Sequence, residues 1–333
     1  MSIPVTICDD SSFARKQLAR ALPEHWDIDV TFAGNGIEGL EAVHKNLAEV
    51  LFLDLTMPEM DGFEVLERIF KEQLNSVVIV VSGDIQPEAR ERVMSLGAIA
   101  FIKKPCSAEE IAQILEQFGL MSEVLESPNP LVESIEQTRI PLQQVYQEIA
   151  NIAMGKAADL LARHMDAFIV LPVPAVNTIE ASELKMMLQA IESDHKVSAV
   201  FQGFIGNGIA GEALLLFNNS SFNDIAKLLK FEGDIDANVE SELMMDISSI
   251  LIGAFLKAFT EQLDIQFSQG HPKILQNSHI ADLVKPDKVG WNETLSIEID
   301  YRIEGYDVNC DLLLLFTEDS INALNSRVSY YAS

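Results

Sequence analysis

"EIANIAMGKAADLLARHMD", residues 148–166, is answered by "DISSILIGAFLKAFTEQLD", residues 246–264, at an offset of 98. Pro174 and Pro272 keep that offset, and "ALLLFNNSSF" from Ala213 aligns with "LLLLFTEDSI" from Leu312 at an offset of 99. The chain is therefore duplicated from about residue 140. Each copy reads as helix, connection, strand pair, helix, with repeats over about 140–232 and 238–333. "KVSAVFQGFIGNGIAGEALLLF" and "TLSIEIDYRIEGYDVNCDLLLLF" read as the hairpins, the first turning at Gly206–Gly208. Two copies predict a pseudo-twofold α+β domain, since a solenoid needs more repeats.

Within the first copy, Gln144, Glu148 and Asn151 stand at i, i+4 and i+7, one narrow polar stripe on an otherwise apolar helix. Helix propensity does not explain them. Asn costs roughly 0.5 kcal/mol relative to Ala, and Gly155 in the same helix about 1 kcal/mol. By periodicity alone the stripe is an ordinary solvated face with a close-packing glycine. The second copy carries Asp246 and Ser249 at the matching positions, ahead of Pro272.

Upstream, β-branched runs alternate with amphipathic stretches. "PVTICD", "DVTFAG", "VLFLDL", "SVVIVVS" and "IAFIKK" read as five strands, each followed by a helix. That pattern predicts an α/β doubly wound, five-stranded parallel sheet covered on both faces, with function at the carboxyl ends of its strands. Those ends hold Asp9, Asp10, Asp54, Ser82 and Lys104. Three converging carboxylates repel one another unless a cation lies between them, and oxygen ligands suit Mg²⁺, which readily bridges carboxylate and phosphate. A lysine and a hydroxyl complete a site for phosphoryl oxygens.

The domains expected are residues 1–120, a linker over 121–136 marked by Pro128 and Pro130, and 137–333. A net charge of −28 argues against nucleic acid as a partner. Residues 1–121 carry 10 basic and 20 acidic side chains, hence −10, which leaves −18 for the remainder, so neither part is basic. Cys8, Cys106 and Cys310 are too far apart for a disulfide or zinc framework, and the six histidines show no ligand spacing. Without a signal-like start or an uninterrupted apolar run of about 20 residues, a cytoplasmic protein with no membrane insertion is expected.

"CDDS", "LDLTMPEMDGFEVL", "VSGD" and "FIKKP" resemble the motifs of response-regulator receiver domains, the CheY-like fold, over the first ~120 residues. The resemblance implies that Asp54 accepts a phosphoryl group from a histidine kinase. It further implies that Asp10, Asp54 and the backbone carbonyl of Thr56 hold Mg²⁺, with Asp9 helping through water. Lys104 then pairs with the phosphoryl group, and Ser82 and Phe101 are the switch residues.

Glu148-x2-Asn151-x22-Pro174 resembles the signature of the CheC/CheX/FliY phosphatases, which hydrolyse the aspartyl-phosphate of a response regulator. That family has Asp or Ser four residues before the Glu, where this chain has Gln144. The resemblance implies that Asn151 orients a water, that Glu148 contacts the partner's active-site lysine, and that Asp246, Ser249 and Pro272 form a degenerate second site. The function expected is a two-component, chemotaxis-type phosphatase regulated at Asp54, with a phosphorylated CheY-like regulator as its substrate. The chain's own Asp54 is an alternative substrate. A non-catalytic docking adaptor or a phosphate sink is the alternative function, and a homodimer through receiver faces stays open beside a monomer.

Overall fold

The computed structural model describes residues 2–121, 140–193, 197–275 and 293–331. The expected linker lies almost wholly outside them. The chain packs as two compact units, Met1–Glu148 and Ile149–Ser333.

The first unit alternates β1 (Ile3–Cys8), α1 (Ser12–Ala21), β2 (Ile28–Ala33), α2 (Gly36–His44) and β3 (Val50–Leu53). It continues through α3 (Gly62–Glu72), β4 (Val77–Ser82), α4 (Pro87–Ser95), β5 (Ala100–Lys103) and α5 (Ala108–Gln117). All pairings are parallel, in the order β2-β1-β3-β4-β5. β3 is buried at every position and β4 at all but its first, as their continuous apolar runs require. β2 lies at the edge and is partly exposed, so it is the least continuous of the five. Ser11, Asn35, Asp61 and Ser107 cap four of the five helices by accepting backbone N–H groups, which fixes where each helix begins. The core gathers around Trp26, Phe52, Ile79, Ile102 and Leu115.

A 24-residue helix, α6 (Leu142–Met165), follows, and its first seven residues pack with the first unit. The second unit continues with β6 (Ile169–Val170), β7 (Ala175–Glu180), α7 (Ala181–Ser193), β8 (Val197–Gly206), β9 (Ile209–Asn218) and α8 (Phe222–Leu228). Then come α9 (Ala237–Gln262), β10 (Ser268–Gln269), β11 (Lys273–Leu275), β12 (Glu293–Ile303), β13 (Asn309–Phe316) and α10 (Glu318–Tyr331). Its strands form one antiparallel sheet of eight.

The duplication is visible in the register. β9 pairs with β13, and Leu214 lies opposite Leu313, the residue 99 places on, so the pseudo-twofold axis passes through that pair. Each copy also lends short strands to the other. β6 and β7 pair with β12, whereas β10 and β11 pair with β8. The copies are thereby interlocked, which the expected helix–connection–hairpin–helix plan did not include. The hairpin β8–β9 turns at Asn207 (φ 54°) and Gly208 (φ 77°), both left-handed, the backbone a two-residue turn needs to match strand twist.

One face of this sheet buries Phe316 against Phe259 and Phe204, with ring centroids 5.8 and 5.4 Å away. The opposite face packs Leu214, Leu313 and Leu315 against Leu184 and Leu188 of α7. α9 is long and apolar enough in composition to cross a bilayer, which the sequence reading did not anticipate. Its apolar side chains, Leu251, Ile252, Phe255 and Phe259 among them, are buried in the fold.

Candidate functional site

The order β2-β1-β3 reverses the chain's direction of travel between β1 and β3, and such a switch point opens a crevice at the strands' carboxyl ends. Asp9 and Asp10 leave β1 there, and Asp54 leaves β3. Each of the three offers a carboxylate oxygen, all within 4.8 Å of one another. Asp54 is 1 % exposed, and its Oδ1 accepts from the N–H of Leu55 at 2.8 Å. Gly62 makes the site's backbone possible, because a Cβ there would overlap the carbonyl oxygen of Asp54.

Lys104, just beyond β5, is buried with its Nζ 2.7 Å from Asp9 Oδ2 and 3.2 Å from Asp54 Oδ2. The same ammonium lies 3.3 Å from Glu148 Oε1 on the opening turns of α6, within the first unit. Two neighbours on that helix face also reach the crevice. Gln147 donates from Nε2 to Asp10 Oδ2 at 3.2 Å, and Gln144 Oε1 accepts from Ser12 Oγ. Arg15 donates to the main-chain carbonyls of Asp9 and Asp10.

Four carboxylates thus face one lysine, and the electrostatics follow. Burial, with Asp9 adding to it, raises Asp10 to about 6. Burial also pushes Asp54 well above the usual carboxylate range; Lys104 opposes the shift while Asp9 and Glu148 reinforce it. Glu148 rises to about 7, through burial first, against the pull of Lys104. For Lys104 burial acts downward, but Asp54, Asp9 and Glu148 outweigh it and hold its pKa well above normal. An all-oxygen donor set with surplus negative charge suits a hard divalent cation such as Mg²⁺, which Asp9, Asp10 and Asp54 would hold. When bound, the ion would neutralise part of the negative charge that these carboxylates gather.

The remaining expected residues sort as follows. Thr56 is buried two residues past Asp54, and Ser82 is buried with its Oγ accepting from the N–H of Asp84 at 3.1 Å. Phe101 is half-buried on β5. Asn151, one turn after Glu148 on α6, is 5 % exposed, so the polar stripe is not a solvated face. Its Oδ1 is buried and finds no hydrogen-bond partner among the described residues. Pro174 is buried just ahead of β7, and Pro272 half-buried just ahead of β11. Asp246 and Ser249 are exposed on α9, and Ser249 Oγ donates to the Met245 carbonyl at 2.7 Å. Sequence reasoning missed Arg15 and Gln147, whose partners the fold supplies.

Asp9, Asp10, Asp54 and Lys104 thus gather in one crevice at the switch point of a parallel α/β sheet. Residues 5–116 match the response regulator receiver domain, and this N-terminal part of the chain is a receiver of the two-component type. Among curated relatives, a protein-glutamate methylesterase/protein-glutamine glutaminase of Oleidesulfovibrio alaskensis is 41% identical over 107 residues, which is 32% of this chain and 29% of that protein. The probable C4-dicarboxylate response regulator DctR of Bacillus subtilis is 32% identical over 123 residues, 37% of this chain and 54% of that protein. The match thus spans under a third of the methylesterase and about half of DctR. Among solved structures, FliY of Thermotoga maritima is similar with a TM-score of 0.43 and 19% identity, over 57% of this chain and 96% of that one.

Proposed function

We propose that the chain is a receiver-regulated protein aspartyl-phosphate phosphatase of the CheC type, acting in chemotaxis-like signalling. A histidine kinase phosphorylates Asp54 with Mg²⁺ in place, and Glu148 and Asn151 hydrolyse the aspartyl-phosphate of a receiver. The carrying observation is Asn151. Leaving a buried carbonyl oxygen without a donor costs about 1–3 kcal/mol, so Asn151 is a poor choice for stability. A water held by that amide would satisfy the oxygen and stand ready for in-line attack on phosphorus. An amide suits the task because it both donates and accepts without changing protonation state, and a phospho-Asp already activated by its own receiver site asks the phosphatase only for positioning.

The test is phosphate release from a separately phosphorylated stand-alone receiver, with wild type and Asn151→Ala compared. Acceleration by the wild type that Asn151→Ala loses supports the enzyme. Binding of that receiver by both proteins, with no turnover by the wild type, would replace the enzyme with a docking adaptor.

A further inference from the structure

An ammonium has three N–H groups to give, and three carboxylates lie close to that of Lys104: Asp9 at 2.7 Å, Asp54 at 3.2 Å and Glu148 at 3.3 Å. All four residues belong to the first unit. Asp9 is fixed further, its Oδ1 accepting from the N–H of Ser11 at 2.8 Å, and Asp54 is fixed by the N–H of Leu55. Glu148 is not part of that strand-end set; it comes from the opening turns of α6. Two residues on the same helix face hold it in place. Gln144 takes the Ser12 hydroxyl, and Gln147 donates to Asp10 Oδ2 at 3.2 Å.

We propose that residues 144–148 gate the phosphoacceptor: Glu148 is a resident anion on Lys104, and Asp54 takes a phosphoryl group only once that carboxylate has left. The inference rests on Asp54 as the phosphoacceptor, proposed above, and is independent of the chemistry assigned to Asn151. With acetyl phosphate as donor, an Asp54 carboxylate oxygen bonds to phosphorus as the bond from phosphorus to the acyl oxygen breaks. The electron pair of that bond leaves with acetate. The transferred group spreads negative charge over three oxygens, and a lysine beside it stabilises that charge. Lys104 has an N–H for such an oxygen only by releasing one of its three carboxylates. Asp54 is the nucleophile and Asp9 is tied to Ser11, so Glu148 is the one to go. Its departure leaves the buried ammonium paired with Asp9 and the incoming group, never bare. The closed crevice then lowers the apparent affinity for the donor in proportion to the fraction of molecules that stand open.

The experiment measures the initial rate of ³²P incorporation from acetyl phosphate, with Mg²⁺, into the whole chain. Wild type is compared with Glu148→Gln, which keeps the length and loses the charge, and Glu148→Asp, which keeps the charge and loses a methylene. Both variants should label about tenfold faster, the factor for a crevice open about a tenth of the time in the wild type. Asp54→Ala should take no label. Circular dichroism establishes that the variants fold, and loss of label after donor removal is recorded separately so that slow decay is not read as fast gain. In the wild type, hydrogen exchange at the amides of residues 142–148 should quicken when Asp54 is phosphorylated. Wild-type initial rates in both folded variants would overturn the gate and leave Asp54 standing as phosphoacceptor. Acceleration in Glu148→Gln without acceleration in Glu148→Asp would also overturn it, since repulsion of the donor by net charge would then suffice. Unchanged exchange on phosphorylation would show that Glu148 never leaves. Absence of label from every protein would overturn the gate and the phosphoacceptor together.

Discussion

The hydroxyl of Ser249 is spent on its own helix, donating to the carbonyl of Met245 at 2.7 Å one turn back. The amide oxygen of its counterpart in the first copy, Asn151, is buried and has no hydrogen-bond partner among the described residues. The duplicated helices thus differ where the chemistry is proposed. Asp246 is also exposed, whereas Glu148 is buried against Lys104. Asn151→Ala should reduce phosphate release from a phosphorylated receiver by about two orders of magnitude, the scale of a mispositioned reactant. Ser249→Ala should stay within about twofold of wild type, where P-release kinetics resolve a difference of that size. Equal losses would refute the asymmetry.

Stability should not follow activity at Asn151. Because the Oδ1 finds no partner among the described residues, Asn151→Ala should not lower the free energy of unfolding by more than about 1 kcal/mol. Urea titration monitored by circular dichroism measures this. A loss several times larger would mean that the amide supports the fold.

Gly62 should behave in the opposite way. Any Cβ there would meet the carbonyl of Asp54 and the Leu55 backbone, and backbone cannot step aside as a flexible side chain can. Gly62→Ala should destabilise the first unit by about 1–3 kcal/mol. It should also slow phosphorylation of Asp54 by acetyl phosphate. Wild-type rates in a stably folded variant would show that the close approach is slack.

Magnesium binding should depend on Asp10. Removing one of three clustered carboxylates takes away a ligand and part of the negative charge that attracts the ion. Titration calorimetry of Asp10→Asn should show Mg²⁺ affinity reduced at least about tenfold. Unchanged affinity would place the ion elsewhere.

Glu212 on β9 gives a pH dependence that can be isolated. Burial raises its carboxyl from 4.5 to about 7, and its Oε2 has no hydrogen-bond partner among the described residues. The folded state therefore holds a proton that the unfolded state releases between those values. Its contribution is full below about pH 4.5, falls as pH rises towards 7, and is constant above. At most about 3 kcal/mol is at stake. Comparing urea stabilities at pH 5 and pH 8, wild type should lose more than Glu212→Gln, and the difference between the proteins belongs to Glu212. Parallel profiles would assign the slope to other groups.

The receiver was legible in the sequence because parallel strands buried on both faces read as unbroken apolar runs, and because the acidic residues fall at their ends. β3 shows this most plainly, and Asp54 follows it directly. The duplicated half was legible through its offsets, and Leu214 opposite Leu313 realises the repeat in the sheet register. β6, β10 and β11 were not foreseen, because strands of two or three residues carry no period and are strands only through pairing with the other copy. The burial of Asn151 was hidden for a related reason. Periodicity marks a polar stripe on a helix but not whether that stripe meets solvent, and Gln147 gains its role only from Asp10, far away in sequence.

The most direct single measurement uses the Asp54→Ala chain, which cannot accept phosphate at that position, mixed with a stand-alone receiver carrying ³²P on its aspartate and Mg²⁺. Label loss is followed with Asn151 intact and with Asn151→Ala in the same Asp54→Ala background. Faster loss with Asn151 intact, abolished by Asn151→Ala, is the expected result. Label loss at the receiver's own unassisted rate in both cases would contradict assignment of Glu148 and Asn151 as a phosphatase centre.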